Sequence, residues 1–498
     1  MSDRRLTYTF GPLERRGILG PVRTGQAGVV LVATLVAVAL LDAVPAATGV
    51  LAAVLVVMAA LGVTCVPVAG RTLEEWLPVV TAFGRRRASG DGRWRSGAPT
   101  AGVRITRRGR DRTAPADPDP VPPPALRDVR IQPATYAGRE IGALVERSGR
   151  RLTSVLACRV SAFALLDAEA QERRLARWGL VLSGAAAGPL RRIQWVERTA
   201  PAQGDELARW LHAERDPALA PRGTAMVESY LELISSSARV TQEHEILLAL
   251  QVDGRRVRDR GADAPLRALL EQTERVARAI EAAEVTVLGA LSPHQLARSL
   301  RTAFDPYARG ELTALEAADP ERRGPNEAGA WPVGAREAWD HYQSDGALHA
   351  TYWIGGWPRT EVSPMFMDAV LGPAGAVRAV AVTFEPLAPD RSTREVEAAI
   401  TRDRADRDLR ARFGQSETAR QRQAAAATER REAELAAGHA EVRLSGFVTV
   451  SGRDSDDLRR GCAEVADHAA RARLELHRLY GQQAEAFTFT LPLCRGLR

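Results

Sequence analysis

Two long apolar runs open the chain, and beyond about residue 125 the pattern changes to short alternating segments separated by helical periods. Residues 25–41, "GQAGVVLVATLVAVALL", carry no charge, and after the break "DAVP" at 42–45 the stretch "AATGVLAAVLVVMAALGVTCVPVAG" is uncharged to residue 70. Each run approaches the ~20 residues a helix needs to cross a bilayer core, so the polar break predicts a hairpin of two antiparallel transmembrane helices. A cleaved signal peptide is not expected, because a second apolar run follows directly and Arg flanks both sides. Arg4, Arg5, Arg15, Arg16 and Arg23 precede the first run, Arg71 and an Arg-rich tract follow the second, and the turn between them has no basic residue. That asymmetry predicts a cell-membrane protein with both termini in the cytoplasm. Next, "RTLEEWLPVVTAFGRRR" sets Leu73, Trp76, Leu77, Val80 and Phe83 near one helical face, which predicts an amphipathic helix on the inner leaflet with Trp76 at headgroup level.

The body reads as α+β, built from strand–helix–strand units of the split βαβ, ferredoxin-like kind. In the first unit, "RLTSVLACRVSAFALL" leads into a helix over 167–187 and "LRRIQWVERT" returns; in the second, "ARVTQEHEILLALQVDG" precedes a helix over 264–283 and a short "EVTVLGAL". In the third, "EVRLSGFVTVSG" alternates at Val442, Leu444, Val448 and Val450, and a helix opens at Ser455 with Asp456 and Asp457 in its first turn. Its stripe of Leu458, Cys462, Val465, Ala469, Ala472, Leu476 and Leu479 faces a sheet or a partner helix. The alternation Phe487, Phe489, Leu491, Leu493 predicts that this unit closes with a strand. "ALHATYWIGGWP" and "AVRAVAVTFEPL" read as two strands that pair with each other. Residues 393–440, nearly all Ala, Arg and Glu, predict a charged helical insertion broken near Gly414. The expected divisions are a cytoplasmic segment 1–24, the hairpin 25–70, a juxtamembrane segment and Arg/Pro-rich linker 71–125, and two α+β regions, 126–330 and 331–498.

Charge sharpens this picture. All 68 basic residues are Arg, and ten of them lie between Arg85 and Arg112 against Asp91 and Asp111, so most of the formal +7 resides in the linker. Such a tract, followed by "TAPADPDPVPPP", reads as a solvated linker with affinity for anionic lipid headgroups. Direct nucleic-acid binding is not expected, since only Trp94 interrupts the Arg run and the body behind it is nearly neutral. The absence of Lys excludes a GxxxxGK[ST] phosphate loop and Schiff-base chemistry. Cys65, Cys158, Cys462 and Cys494 lack metal-ligand spacing. "HEILL" at His244 fails HExxH, Asp340 and His341 have no nucleophile in sequence, and Gly355–Gly356 between Trp353 and Trp357 reads as a turn. Trp331, Trp339, Trp353 and Trp357 are a candidate apolar cluster. No catalytic, cofactor-binding or metal-binding residue is assigned, and no enzyme activity is expected.

The hairpin followed by "VPVAGRTLEEWLPVV" resembles the PrgI-type small hairpin subunit of type IV secretion and conjugation systems. The last stretch, "SGFVTVSGRDSDDLRRGCAEVADHAARARLELHRLYGQQAEAFTFTLPLCRGLR", resembles the end of the amino-terminal, non-motor domain of the large transport ATPase of those machines. Together the two are similar to actinobacterial proteins that fuse both pieces on one chain. The resemblance implies an inner-membrane scaffold of a secretion-like or conjugation-like complex. It would work as an oligomer with other membrane subunits and dock a separately encoded P-loop ATPase, since the chain stops where the motor would begin. The other class that fits is a membrane-anchored sensor or regulator whose body binds a small ligand or a protein.

Overall fold

The computed structural model describes residues 24–44, 46–65, 67–68, 71–97, 104–107, 110–113, 121–146, 149–160, 163–186, 188–201, 225–226, 229, 242–318, 325–372, 375–412, 419–436 and 440–497. Two compact units emerge, one of residues 10–92 and 393–438, the other of 1–9, 93–392 and 439–498.

In the first unit, α1 (Thr24–Ala43) and α2 (Ala47–Cys65) pack on each other, and Gln26 Nε2 donates to Thr64 O at 2.9 Å, tying the start of one to the end of the other. Their burial is inverted relative to a water-soluble pair: the buried hydrophobic residues are the small Ala33, Ala37, Ala53 and Ala60, while Leu31, Leu35, Leu51, Leu55 and Met58 are exposed. Only Ala47–Thr64, with mean hydropathy 2.3, is long and apolar enough to cross a membrane among the described residues. The first run falls short of the expected second span because its apolar part is the shorter Gly28–Ala43, the opening turn being polar at Thr24 and Gln26. The helix that follows, α3 (Leu73–Ser89), forms where expected, with Glu75 accepting from the Thr72 N–H at 3.1 Å. Trp76, expected at headgroup level, is instead buried with Val79, and Arg71 lies over its ring at 5.6 Å; Leu73, Leu77 and Val80 are the exposed apolar positions. The charged insertion is helical over Pro389–Arg412 and Ala419–Ala436; its break near Gly414 lies outside the described residues.

The second unit holds one antiparallel sheet of thirteen strands. In chain order these are β1 (Arg93–Arg95), β2 (Val129–Tyr136), β3 (Arg139–Glu146), β4 (Arg151–Arg159), β5 (Leu190–Pro201), β6 (Gln242–Asp253), β7 (Thr286–Ala290), β8 (Gly334–Glu337), β9 (Tyr342–Ser344), β10 (Ala347–Gly356), β11 (Val377–Pro386), β12 (Val442–Gly452) and β13 (Glu475–Arg478). The sheet runs β1-β8-β9-β10-β12-β11-β5-β6-β4-β3-β2, with β7 on β4 and β13 on β10. It crosses the expected division at 330/331 without a break. The helices are α4 (Ala168–Ala186), α5 (Ala264–Ala282), α6 (Pro293–Phe304), α7 (Arg309–Ala318), α8 (Asp368–Leu371), α9 (Ser455–Arg471) and α10 (Gln483–Phe487).

Within this sheet the same arrangement occurs twice. The run β4–α4–β5–β6–α5–β7 gives the spatial order β7-β4-β6-β5, and β10–α8–β11–β12–α9–β13 gives β13-β10-β12-β11. The two fourfold groups join where β5 pairs with β11 over seven residue pairs, Thr199↔Arg378 to Ile193↔Phe384. Trp195 packs against the α4/α5 core and against the α8/α9 core, so all four helices cover one face. The other face carries α6 and the final stretch of chain, with Phe304, Phe487, Leu491 and Leu493 in its core.

Four expectations are corrected here. The strands 347–356 and 377–386 do not pair with each other, because the connection through α8 carries the chain past the place that β12 fills between them. Residues 487–493 are not a strand: the strand that closes the final unit is β13, after which the chain forms α10, a 3-10 turn over Thr488–Thr490 and an irregular run on the sheet face. Gly355 and Gly356 are not a turn but the end of β10, where a Cβ on Gly355 would collide with the ring of His477 on β13. The Arg-rich tract is not wholly linker, since Arg93–Arg95 supplies edge strand β1 and Arg104–Arg107 pairs with Arg110–Thr113.

Candidate functional site

The seam between β5 and β11 concentrates the buried charge of the sheet. On the face that receives the final stretch of chain, Arg192 of β5 meets Glu385 of β11 at 3.0 Å and donates to the carbonyls of Cys494 (3.2 Å) and Leu497 (2.7 Å). Gln194 donates to Phe489 O at 2.7 Å and accepts from the Cys494 N–H at 2.7 Å, while Gln251 of β6 reaches Leu493 O at 3.2 Å. From the second group, Thr383 donates to Arg495 O at 3.1 Å, and the hydroxyls of Thr351, Thr449 and Thr490 form a chain with 2.8 Å links. Arg495 in turn bonds Glu146 at 2.7 Å and Ala125 O at 2.7 Å. Polar strand residues that alternation would assign to solvent therefore bind the backbone of the last residues.

At one end of the seam a cleft opens, bordered by Arg198, Glu245, Thr302, Arg309, Arg378 and Ser451 among others. Its internal volume of about 40 Å³ holds roughly three waters and is far below the size of a metabolite pocket. Arg198 is 8% exposed; its Nη1 donates to Ser299 O at 2.7 Å and Ser299 Oγ at 3.0 Å, and Glu245 lies 3.5 Å away. Its Nε and Nη2 are buried without an acceptor in the protein. Burial pushes the Arg198 pKa below its ordinary value, nearby Arg309 adding to the effect and Glu245 opposing it. Arg378, 3% exposed, donates through Nη2 to Gly372 O and leaves Nε and Nη1 buried without partners. Across the strand, burial raises the carboxyl pKa of Glu197, and its 3.0 Å contact with His244 Nδ1 works against that rise.

The residues singled out in the sequence are dispersed. His244 is partly exposed on β6 and meets Glu197, with Glu245 alternating toward Arg198. His341 bonds its neighbour Asp340 at 2.8 Å, and Arg478 caps the Asp340 carbonyl at 2.8 Å, which makes that pair a loop contact. The four tryptophans form no cluster: Trp331 is in the core, Trp339 stacks on Tyr480 at 6.5 Å, Trp353 tilts against His477 at 5.9 Å, and Trp357 meets Phe366 edge-on at 6.5 Å. Cys158, Cys462 and Cys494 are free thiols; burial raises the pKa of Cys158 to about 11. Among the described residues no group of three or more His, Cys, Asp or Glu is placed to hold a metal ion. Sequence reasoning missed Arg192, Arg198 and Arg378, whose acidic partners Glu385, Glu245 and Glu197 lie on other strands 47 to 193 residues away in the chain. No protein-family model matches the chain, and no curated protein matches it.

Proposed function

We propose that this chain is an integral-membrane scaffold of a type IV secretion-like or conjugation-like complex. The observation that carries the membrane half of this reading is the inverted burial of α1 and α2, alanines inside and leucines outside. In water that arrangement exposes apolar surface worth roughly 25 cal/mol per Å², whereas hydrocarbon accepts large side chains and lets small residues bring two helices close. In this reading α1 and α2 form a two-span hairpin with both termini cytoplasmic. The exposed Leu73, Leu77 and Val80 of α3 rest on the inner leaflet, and Arg85, Arg86 and Arg87 follow at its anionic headgroups.

The scaffold half rests on the duplicated strand order. In this reading each group is a split βαβ, ferredoxin-like unit, which the repeated strand order supports, and the two together offer a platform in keeping with the resemblance to the non-motor domain of a transport ATPase. The proposed partner is a separately encoded P-loop ATPase, within an oligomer that includes other membrane subunits. A truncation ahead of Val442 would remove β12 from the middle of the sheet, so the test uses the full chain. Membranes of the native host are washed at high pH, solubilised in mild detergent, and the tagged chain is recovered for mass spectrometry. Retention through the wash and recovery of a P-loop ATPase support the two halves separately. Release by the wash overturns the membrane reading, and the lack of any such ATPase overturns the docking reading.

A further inference from the structure

We infer that the rim of the sheet formed by β1 and β8 is a docking surface for the anionic lipid headgroups of the inner leaflet, held by Arg93, Arg95 and Arg336. This rests on the membrane reading above and adds to it a contact made by the body itself. The register sets Arg93 of β1 directly opposite Arg336 of β8, and Arg95 opposite Gly334, so the three guanidinium groups belong to one face of the sheet. Trp94, between the two Arg of β1, turns to the opposite face and packs there with Ala335 against the core. From Arg336 inward the row continues with Gln343 on β9 and Leu348 on β10 and holds no carboxylate. The three Arg and Gln343 are exposed, and among the described residues none of the three Arg has a hydrogen-bond, ion-pair or ring partner. The acidic residues nearest in sequence are engaged elsewhere: Asp91 accepts from Ser89 Oγ at 2.9 Å, and Glu337, on the opposite face, from the Ala484 N–H at 3.1 Å.

Like charges directly opposite each other weaken a strand pair, and no group in the protein offsets that repulsion here. Charge on an edge strand deters pairing with a stray strand, and Arg93 and Arg95 would serve that end alone. Arg336 lies on the second strand, behind the edge, so edge protection does not account for it; an anion outside the protein does. The arrangement is open and spread out, with Arg93 and Arg95 about 7 Å apart along the strand and Arg93 and Arg336 about 5 Å apart across it, which suits a surface of several phosphates. Protein interfaces are anchored by large apolar side chains, and no exposed one stands in this row. The chain also arrives here from the membrane segment: only Gly90, Asp91 and Gly92 separate Arg93 from α3, whose exposed Leu73, Leu77 and Val80 meet lipid in that reading. Each Arg beside an anionic leaflet raises occupancy roughly fivefold.

The test reconstitutes the full chain in nanodiscs of phosphatidylcholine, with or without phosphatidylglycerol, and follows amide hydrogen exchange in residues 93–96 and 334–337. Phosphatidylglycerol should slow exchange there about fivefold or more. The effect should vanish near 1 M salt, where the screening length falls to ~3 Å. Arg93→Gln combined with Arg336→Gln should abolish it without lowering the urea midpoint, because the substitutions remove a like-charged pair. Exchange that ignores phosphatidylglycerol in chain that has entered the discs overturns this inference and leaves the membrane reading standing, whereas a chain that does not enter the discs overturns both. Equal protection by inorganic phosphate in phosphatidylcholine discs would assign a free anion, and protection that needs added cytosolic protein would assign an acidic protein; either overturns the lipid assignment. Wild-type protection in the double variant overturns it as well.

Discussion

His349 on β10 is fully buried, and its ring joins three parts of the sheet's second face. Nε2 lies 3.0 Å from Phe304 O at the end of α6 and 2.8 Å from Ser344 Oγ, while Nδ1 lies 2.8 Å from Ser451 Oγ on β12. This network assigns a neutral ring with Nε2 donating to the carbonyl and Nδ1 accepting from Ser451, and the Phe487 ring closes over it at 4.7 Å. Burial lowers its pKa from 6.5 to about 4. The unfolded chain therefore takes up a proton as pH falls through 6.5 while the folded chain resists until about pH 4, so stability is complete above pH 6.5 and declines below it. One pH unit is worth about 1.4 kcal/mol, which makes the loss roughly 2 kcal/mol between pH 7 and pH 5 and about 3 kcal/mol by pH 4. His349→Gln removes this titration, so the difference in urea midpoint between wild type and variant, followed by tryptophan fluorescence, should shrink as pH drops from 7 to 5. The partly exposed His244 and His341 are common to both proteins and cancel in that difference. Parallel pH profiles for the two proteins would refute the reasoning, as would an NMR titration that places the His349 ring near 6.5.

Two further outcomes follow from packing. An Ala at Gly452 would set its Cβ 2.4 Å from the backbone nitrogen of Leu458, so Gly452→Ala should displace the first turn of α9 and cost about 2 kcal/mol by urea denaturation; an unchanged midpoint would contradict the contact. Arg192→Met should cost about 3 to 5 kcal/mol by leaving Glu385 buried without its cation and the Cys494 and Leu497 carbonyls without their donor. Adding Glu385→Leu should recover part of that loss, and strictly additive effects of the two substitutions would show that the pair does not interact.

The elements that periodicity reveals best were legible: β5, β12 and helices α4 and α5 fall within a residue or two of the segments that alternation and helical spacing mark out, whereas α9 opens where expected but ends at Arg471, so that Leu476 and Leu479, expected on its stripe, lie on β13 and just beyond it. The cap of α9 sits one residue earlier than expected, at Asp454, whose carboxylate accepts from the N–H groups of Asp456 and Asp457. The hairpin β2–β3 was not legible, because Pro133 argues against a strand interior, yet it is an edge strand that tolerates the missing donor. Its signal was the turn Ala137–Gly138, both at positive φ. The segment 487–493 misled because alternation assumes that one face meets solvent. Here Thr488 and Thr490 are as buried as Phe487 and Leu491, with their hydroxyls satisfied by Glu485 O and by Thr449. Pairings such as β5 with β11 join segments nearly two hundred residues apart, and no local pattern encodes them.

The same seam explains why its polar residues look, in sequence, like a wet face. A peptide that lies on a sheet without joining its ladder must find partners for its carbonyls, and apolar strand side chains offer none. Here the carbonyls of Phe489, Leu493, Cys494, Arg495 and Leu497 are taken by Gln194, Gln251, Arg192 and Thr383, residues drawn from both fourfold groups. Replacing those four by Val or Leu would improve the apolar content of the face and strand five carbonyls away from water, each at about 1 to 3 kcal/mol. The final residues thus act as a second tie across a seam whose only direct ladder is seven pairs long, and the sheet's polar positions are the means by which that tie is made.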